Sequence, residues 1–153
     1  MNILNKVAVL GGGSFGTVLA NLAASNNNKV SLWVRDSDQA LRINSEGTNT
    51  SYHPELKLSK NIQASDNLQE VMEGASIIFV ATPSLIFEQI VNRISLHLDK
   101  SAIIISCTKG ILDQPFRTLS DVLSNELNNR IGVLSGPNLA KEIADKKIAG
   151  TVI

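Results

Sequence analysis

The chain has 153 residues, enough for one domain with a sizeable core, and its 43% hydrophobic and 18% charged content excludes a disordered chain. Its 14 basic residues balance its 14 acidic ones with no basic cluster, which argues against a nucleic-acid partner. The lone cysteine excludes an internal disulfide framework, and no apolar stretch is long enough to span a bilayer, so a reducing, cytoplasmic setting is expected.

The first element is a short apolar strand at Val7–Leu10, followed by a glycine turn and an amphipathic helix. Phe15, Val18, Leu19, Leu22 and Ala23 recur at helical spacing and are expected on the inner face. Gly11, Gly13 and Gly16 fit G-x-G-x-x-G, the pattern that seats a dinucleotide pyrophosphate on a helix N-terminus. The first glycine permits the tight exit from the strand, the second lets backbone approach the pyrophosphate, and the third lets helix and strand pack closely. Unpaired amides of the first helical turn, with the positive end of the helix dipole, favour an anion there.

Ser25–Asn28 ends that helix, and Val30–Val34 is a second strand leading to Arg35 and Asp36. At this strand end a carboxylate suits the ribose 2′-hydroxyl of NAD, whereas an arginine suits the 2′-phosphate of NADP. Arg35 comes first and a guanidinium pairs bidentately with phosphate, so NADP(H) is the preferred cofactor, with NAD(H) tolerated. Asp36 or Ser37 caps a helix over 38–44, and the polar stretch 45–60 reads as a loop on the ligand side. Asp66-x-x-Gln69 has the form of a capping box, with Gly74 closing its helix.

Ser76–Val80 is the next strand, and Pro83-Ser84 opens a longer helix whose inner face is Ile86, Ile90, Val91, Ile94 and Leu98. Pro83 has two readings: it starts this helix, or the backbone around it lines a cofactor. Ala102–Ser106 is a strand buried on both faces. Behind it comes Cys107-Thr-Lys-Gly110, where Lys109 can reach an anionic ligand and Cys107 reads as a small buried hydrophobe. A helix is expected from Pro115 to Leu127, with Phe116, Leu119, Val122, Leu123 and Leu127 inward. Ile131–Leu134 is another strand, ending in Ser135-Gly-Pro-Asn138; Asn138 either caps the helix Leu139–Asp145 or hydrogen-bonds a substrate hydroxyl. Thr151–Ile153 reads as the start of a further strand. Apolar strands alternating with helices imply an α/β fold, a doubly wound, mostly parallel Rossmann sheet with helices on both faces. His53 and His97 have no metal-ligand spacing with Cys107 or with a carboxylate cluster, so no metal is expected.

Taken together, Val9–Thr17, Leu32–Arg35, Thr108–Ile111 and Leu134–Ala140 resemble the NAD(P)-dependent glycerol-3-phosphate dehydrogenases of the bacterial type. The resemblance covers essentially the whole chain, and it implies interconversion of sn-glycerol 3-phosphate and dihydroxyacetone phosphate in phospholipid synthesis. By position it puts Ser14, Phe15, Arg35 and Ala140 on the dinucleotide. It puts Lys109 on both cofactor and substrate, and Gly136 and Asn138 on the substrate. The family's catalytic lysine lies in a helical C-terminal domain, so residues 1–153 are expected to be the dinucleotide-binding domain alone, inactive by itself. The face that would meet the missing domain is expected to be exposed and to favour weak self-association, and the intact enzyme is expected to be a homodimer. Two other readings remain open: the corresponding half of a hydroxyacyl-CoA or ketopantoate dehydrogenase, and a nucleotide-sensing module without catalysis.

Overall fold

A computed structural model describes residues 6–113 and 115–153. Six parallel strands form one sheet among these residues: β1 (Lys6–Leu10), β2 (Lys29–Trp33), β3 (Ile62–Ser65), β4 (Ile77–Val80), β5 (Ile103–Ser106) and β8 (Arg130–Val133). Their order is β3-β2-β1-β4-β5-β8. A short antiparallel hairpin, β6 (Ile111–Asp113) and β7 (Phe116–Thr118), stands apart from it. The helices are α1 (Ser14–Ser25), α2 (Ser37–Glu46), α3 (Leu68–Met72), α4 (Ser84–Ser95), α5 (Leu119–Glu126) and α6 (Ala140–Ala144).

The strand sequences explain why both faces of the sheet are covered. In β1, Val7 and Val9 enter one core while Ala8 and Leu10 enter the other, as the two-residue period of a strand dictates. Ile78 and Val80 of β4 and Ile104 of β5 join Leu10 in a core closed by Phe87, Ile90, Val91 and Ile94 of α4 and Val122 and Leu123 of α5. The opposite core is closed by Ala20 and Ala24 of α1 and Ala40 and Ile43 of α2. Chain order reverses between β1 and β4, so a crevice opens there at the carboxyl ends of the strands, where ligands sit in such folds.

Several expectations need correction. The strand β3 was not anticipated, because Ile-Gln-Ala-Ser alternates buried and outward residues at the sheet edge and has no apolar run. Around Pro115 a hairpin replaces the expected start of a helix. Thr118 accepts the Asp121 amide and Asp121 accepts the Thr118 amide, a reciprocal cap that starts α5 at Leu119 and leaves Phe116 outside it, 70% exposed. Asn67, not Asp66, caps α3, its side chain accepting the amides of Gln69 and Glu70. On α1 the buried face turns toward Thr17, Ala20 and Ala24, and Leu22 is exposed. On α4, Phe87 is fully buried, Ile86 is half-buried, and Leu98 lies beyond the helix end. Leu139 is the N-cap position of α6, so Asn138 does not cap it. Val152 makes only an isolated antiparallel bridge with Ser135.

Candidate functional site

A cleft of about 730 Å³ lies along the carboxyl edge of the sheet. It is lined by the glycine turn after β1, Arg35 and Asp36 after β2, Ala81–Pro83 after β4, Cys107–Lys109 after β5, and Asn138–Ala140 after β8. Of the sequence-predicted site residues, Gly11, Gly13, Ser14, Phe15, Arg35, Pro83, Lys109, Asn138 and Ala140 all line it. Gly16 and Gly136 do not line it.

The glycine turn is built by close approach. Gly11 has φ +122°, and a Cβ there would sit 2.6 Å from the Ala81 carbonyl oxygen. At Gly16 a Cβ would sit 1.8 Å from the Gly11 carbonyl oxygen, so α1 can lie this near the turn only without a side chain. A Cβ on Gly13 would meet nothing within 4 Å. Gly13 precedes Ser14, where α1 begins and its first amides lack intrahelical partners. Open space, free amides and the dipole's positive end together fit a pyrophosphate.

Beneath the turn runs a polar network that the sequence did not announce. Gln39 of α2 donates from Nε2 to the Gly12 carbonyl at 2.8 Å and to Asn49 Oδ1 at 3.2 Å. Asn49, buried, donates from Nδ2 to the Gly12 carbonyl at 3.0 Å and to Thr17 Oγ1 at 2.8 Å, and Thr17 donates in turn to the Gly13 carbonyl at 2.7 Å. His53 places Nε2 2.9 Å from the Ser14 carbonyl and 3.0 Å from Ser14 Oγ. A carbonyl oxygen only accepts, so the contact assigns the proton to Nε2. The loop expected over 45–60 is therefore the clamp on the glycine turn, and its Ser51 and Tyr52 also line the cleft. Asn49→Ala is expected to destabilise the fold by about 1–3 kcal/mol, because buried polar groups lose a partner, and to weaken dinucleotide binding. A urea midpoint equal to that of the parent chain would contradict this role.

On the β2 side of the cleft, Trp33, Arg35, Asp36, Gln39 and Arg42 line it. Asp36 caps α2, its Oδ1 accepting the amides of Asp38 and Gln39 at 2.8 and 3.2 Å. At the other end Thr108 donates from its hydroxyl to the Thr82 carbonyl at 2.8 Å, joining the segments after β4 and β5. Lys109 reaches across the cleft, and its Nζ donates to the Asn138 carbonyl at 3.3 Å. The Asn138 side chain, buried, accepts from Thr151 Oγ1 at 2.7 Å. Cys107 is buried, and desolvation pushes its thiol up to about 12. It is a wall of the cleft and no nucleophile. Among the described residues no cluster of His, Cys, Asp and Glu could hold a metal, and no helix is long and apolar enough to cross a membrane.

Comparison with known proteins identifies the arrangement. Residues 6–153 match the family described as NAD-dependent glycerol-3-phosphate dehydrogenase N-terminus. The chain belongs to this family. It is 46% identical to the glycerol-3-phosphate dehydrogenase [NAD(P)+] of Alcanivorax borkumensis over 97% of its own length and 44% of that protein's. The crystal structure of glycerol-3-phosphate dehydrogenase from Coxiella burnetii superposes with a TM-score of 0.86 at 34% identity, over 92% of this chain and 43% of that one. A ketopantoate reductase from Ralstonia eutropha shares the fold at a TM-score of 0.70 and 21% identity, over 86% of this chain and 41% of that one. The chain spans less than half the length of the curated relatives it matches.

Proposed function

We propose that this chain is the cofactor-binding half of an oxidoreductase that interconverts sn-glycerol 3-phosphate and dihydroxyacetone phosphate, and that it takes NADP(H) in preference to NAD(H). The convergence of five strand-end segments on one cleft carries this reading. In it the first amides of α1, with Ser14 and Phe15, hold the pyrophosphate, and Arg35 pairs with the 2′-phosphate. Pro83 and Ala140 flank the dinucleotide further along. Lys109 meets both cofactor and substrate, and Gly136 and Asn138 shape the substrate end. Hydride transfer is the cofactor's chemistry, so these residues bind and orient. The proton acceptor is assigned to the part of the relatives' length that these 153 residues do not span.

Trp33 is the chain's single tryptophan and lines the cleft, so quenching of its fluorescence reports binding. Arg35→Ala is expected to weaken NADPH about tenfold, the loss of one charge-assisted contact, and to leave NADH within about twofold. Equal losses for both nucleotides would refute the 2′-phosphate assignment, and binding of neither by the parent chain would refute the dinucleotide reading.

A further inference from the structure

The adenine end of the cleft has a charge problem that Arg35 alone does not solve. Asp36 lines the same end, and its carboxylate is held there because it caps α2. Beside a phosphate dianion that fixed negative charge cancels much of what one guanidinium offers. A second arginine lines the same cleft: Arg42, three residues after Gln39 on α2. Residues three apart share a helix face, and Gln39 fastens this face to the Gly12 carbonyl, so the helix is held with Arg42 toward the cleft. Among the described residues the Arg42 side chain is exposed and takes part in no ion pair or hydrogen bond.

We propose that Arg42 is a second ligand for the 2′-phosphate of NADP(H), and that Arg35 and Arg42 together outweigh Asp36 and set the choice of dinucleotide. The inference rests on the 2′-phosphate reading above and adds a residue from a different element. The two guanidinium groups reach the site from the β2 end and from α2, so they grip the phosphate from separate directions while Asp36 keeps its cap.

The test is titration of the parent chain, Arg42→Ala, Arg42→Lys and Arg35→Ala with NADPH and with NADH, read by Trp33 fluorescence. Alanine is the better helix former and the exposed Arg42 side chain makes no hydrogen bond or ion pair, so the variant is expected to keep the fold, which circular dichroism checks. Arg42→Ala is expected to weaken NADPH about tenfold and leave NADH within about twofold, and Arg42→Lys to recover part of the loss, having charge without the fork. NADPH affinity unchanged in Arg42→Ala, or an equal loss for NADH, overturns the proposal. A parent preference for NADPH that Arg35→Ala abolishes and Arg42→Ala leaves intact overturns the role of Arg42 alone. A parent chain that binds NADPH no more tightly than NADH overturns both arginine assignments together.

Discussion

Gly16→Ala is expected to destabilise the chain by about 3 kcal/mol or more and to abolish dinucleotide binding. The new Cβ would lie 1.8 Å from the Gly11 carbonyl oxygen and 3.0 Å from its carbon, and both are backbone atoms. No rotamer can relieve that contact, so α1 must move off the sheet. Its first amides would move with it, and they are the groups proposed to meet the pyrophosphate. Gly13→Ala separates the two consequences, since its Cβ would meet nothing within 4 Å and stability is expected to stay within about 0.5 kcal/mol. Binding is nonetheless expected to fall, because the methyl group enters the space a pyrophosphate would fill. Chemical denaturation and NADPH titration of both variants check the pair, and a Gly16→Ala chain as stable as its parent would refute the close-packing account.

The contrast between these glycines shows what the sequence made legible. The strands β1, β4 and β5 stand out because burial on both faces leaves a nearly unbroken apolar run, β2 keeps four apolar residues of five over Val30–Val34, and the glycine spacing marks the turn between β1 and α1. At the sheet edge only alternate residues are buried, so Ile62 and Ala64 were too sparse a signal for β3. Phe116 lies three residues before Leu119 and so mimicked a helix face, but the decision belonged to Thr118 and Asp121, whose reciprocal bonds start α5 after the phenylalanine. In the site, residues flanking strands were found because strand ends converge by topology. Asn49 and His53 were missed because a Ser- and Asn-rich segment looks solvated. Its contacts with Gly12 and Ser14 bridge 37 and 39 residues of sequence, which no local pattern records. The proposed role of Arg42 leaves no local signal for a related reason: on a helix surface an arginine that lines a cleft has the same spacing as one that faces water.

Cys107 reads from the sequence as a small buried hydrophobe, and its burial turns that reading into a pH effect of predictable sign. Cys107 follows β5 and shares a small apolar cluster with Leu19 and Ile105, where desolvation disfavours the thiolate and raises its pKa from 9.0 to about 12. In the unfolded chain it ionises near its ordinary value. Below pH 9 the thiol is neutral in both states and contributes no pH dependence. Between pH 9 and about 12 the unfolded state releases a proton that the folded state retains, so stability falls by about 1.4 kcal/mol per pH unit from this group. Above about 12 both states ionise and the loss levels off. Every other ionisable group is the same in Cys107→Ala, so the difference between the two chains isolates the thiol. At pH 10 the parent is expected to have lost about 1.4 kcal/mol more than the variant, relative to their gap at pH 7. Denaturation curves measured at both values would decide it, and a gap that stays constant would refute the buried-thiol account. Alkylation gives an independent reading, because a thiol so desolvated reacts slowly at pH 8 until the chain is unfolded. Rapid modification of the native chain would mean that Cys107 faces the cleft as a thiolate, and the inert wall assigned to it would have to be replaced by a reactive group beside Lys109.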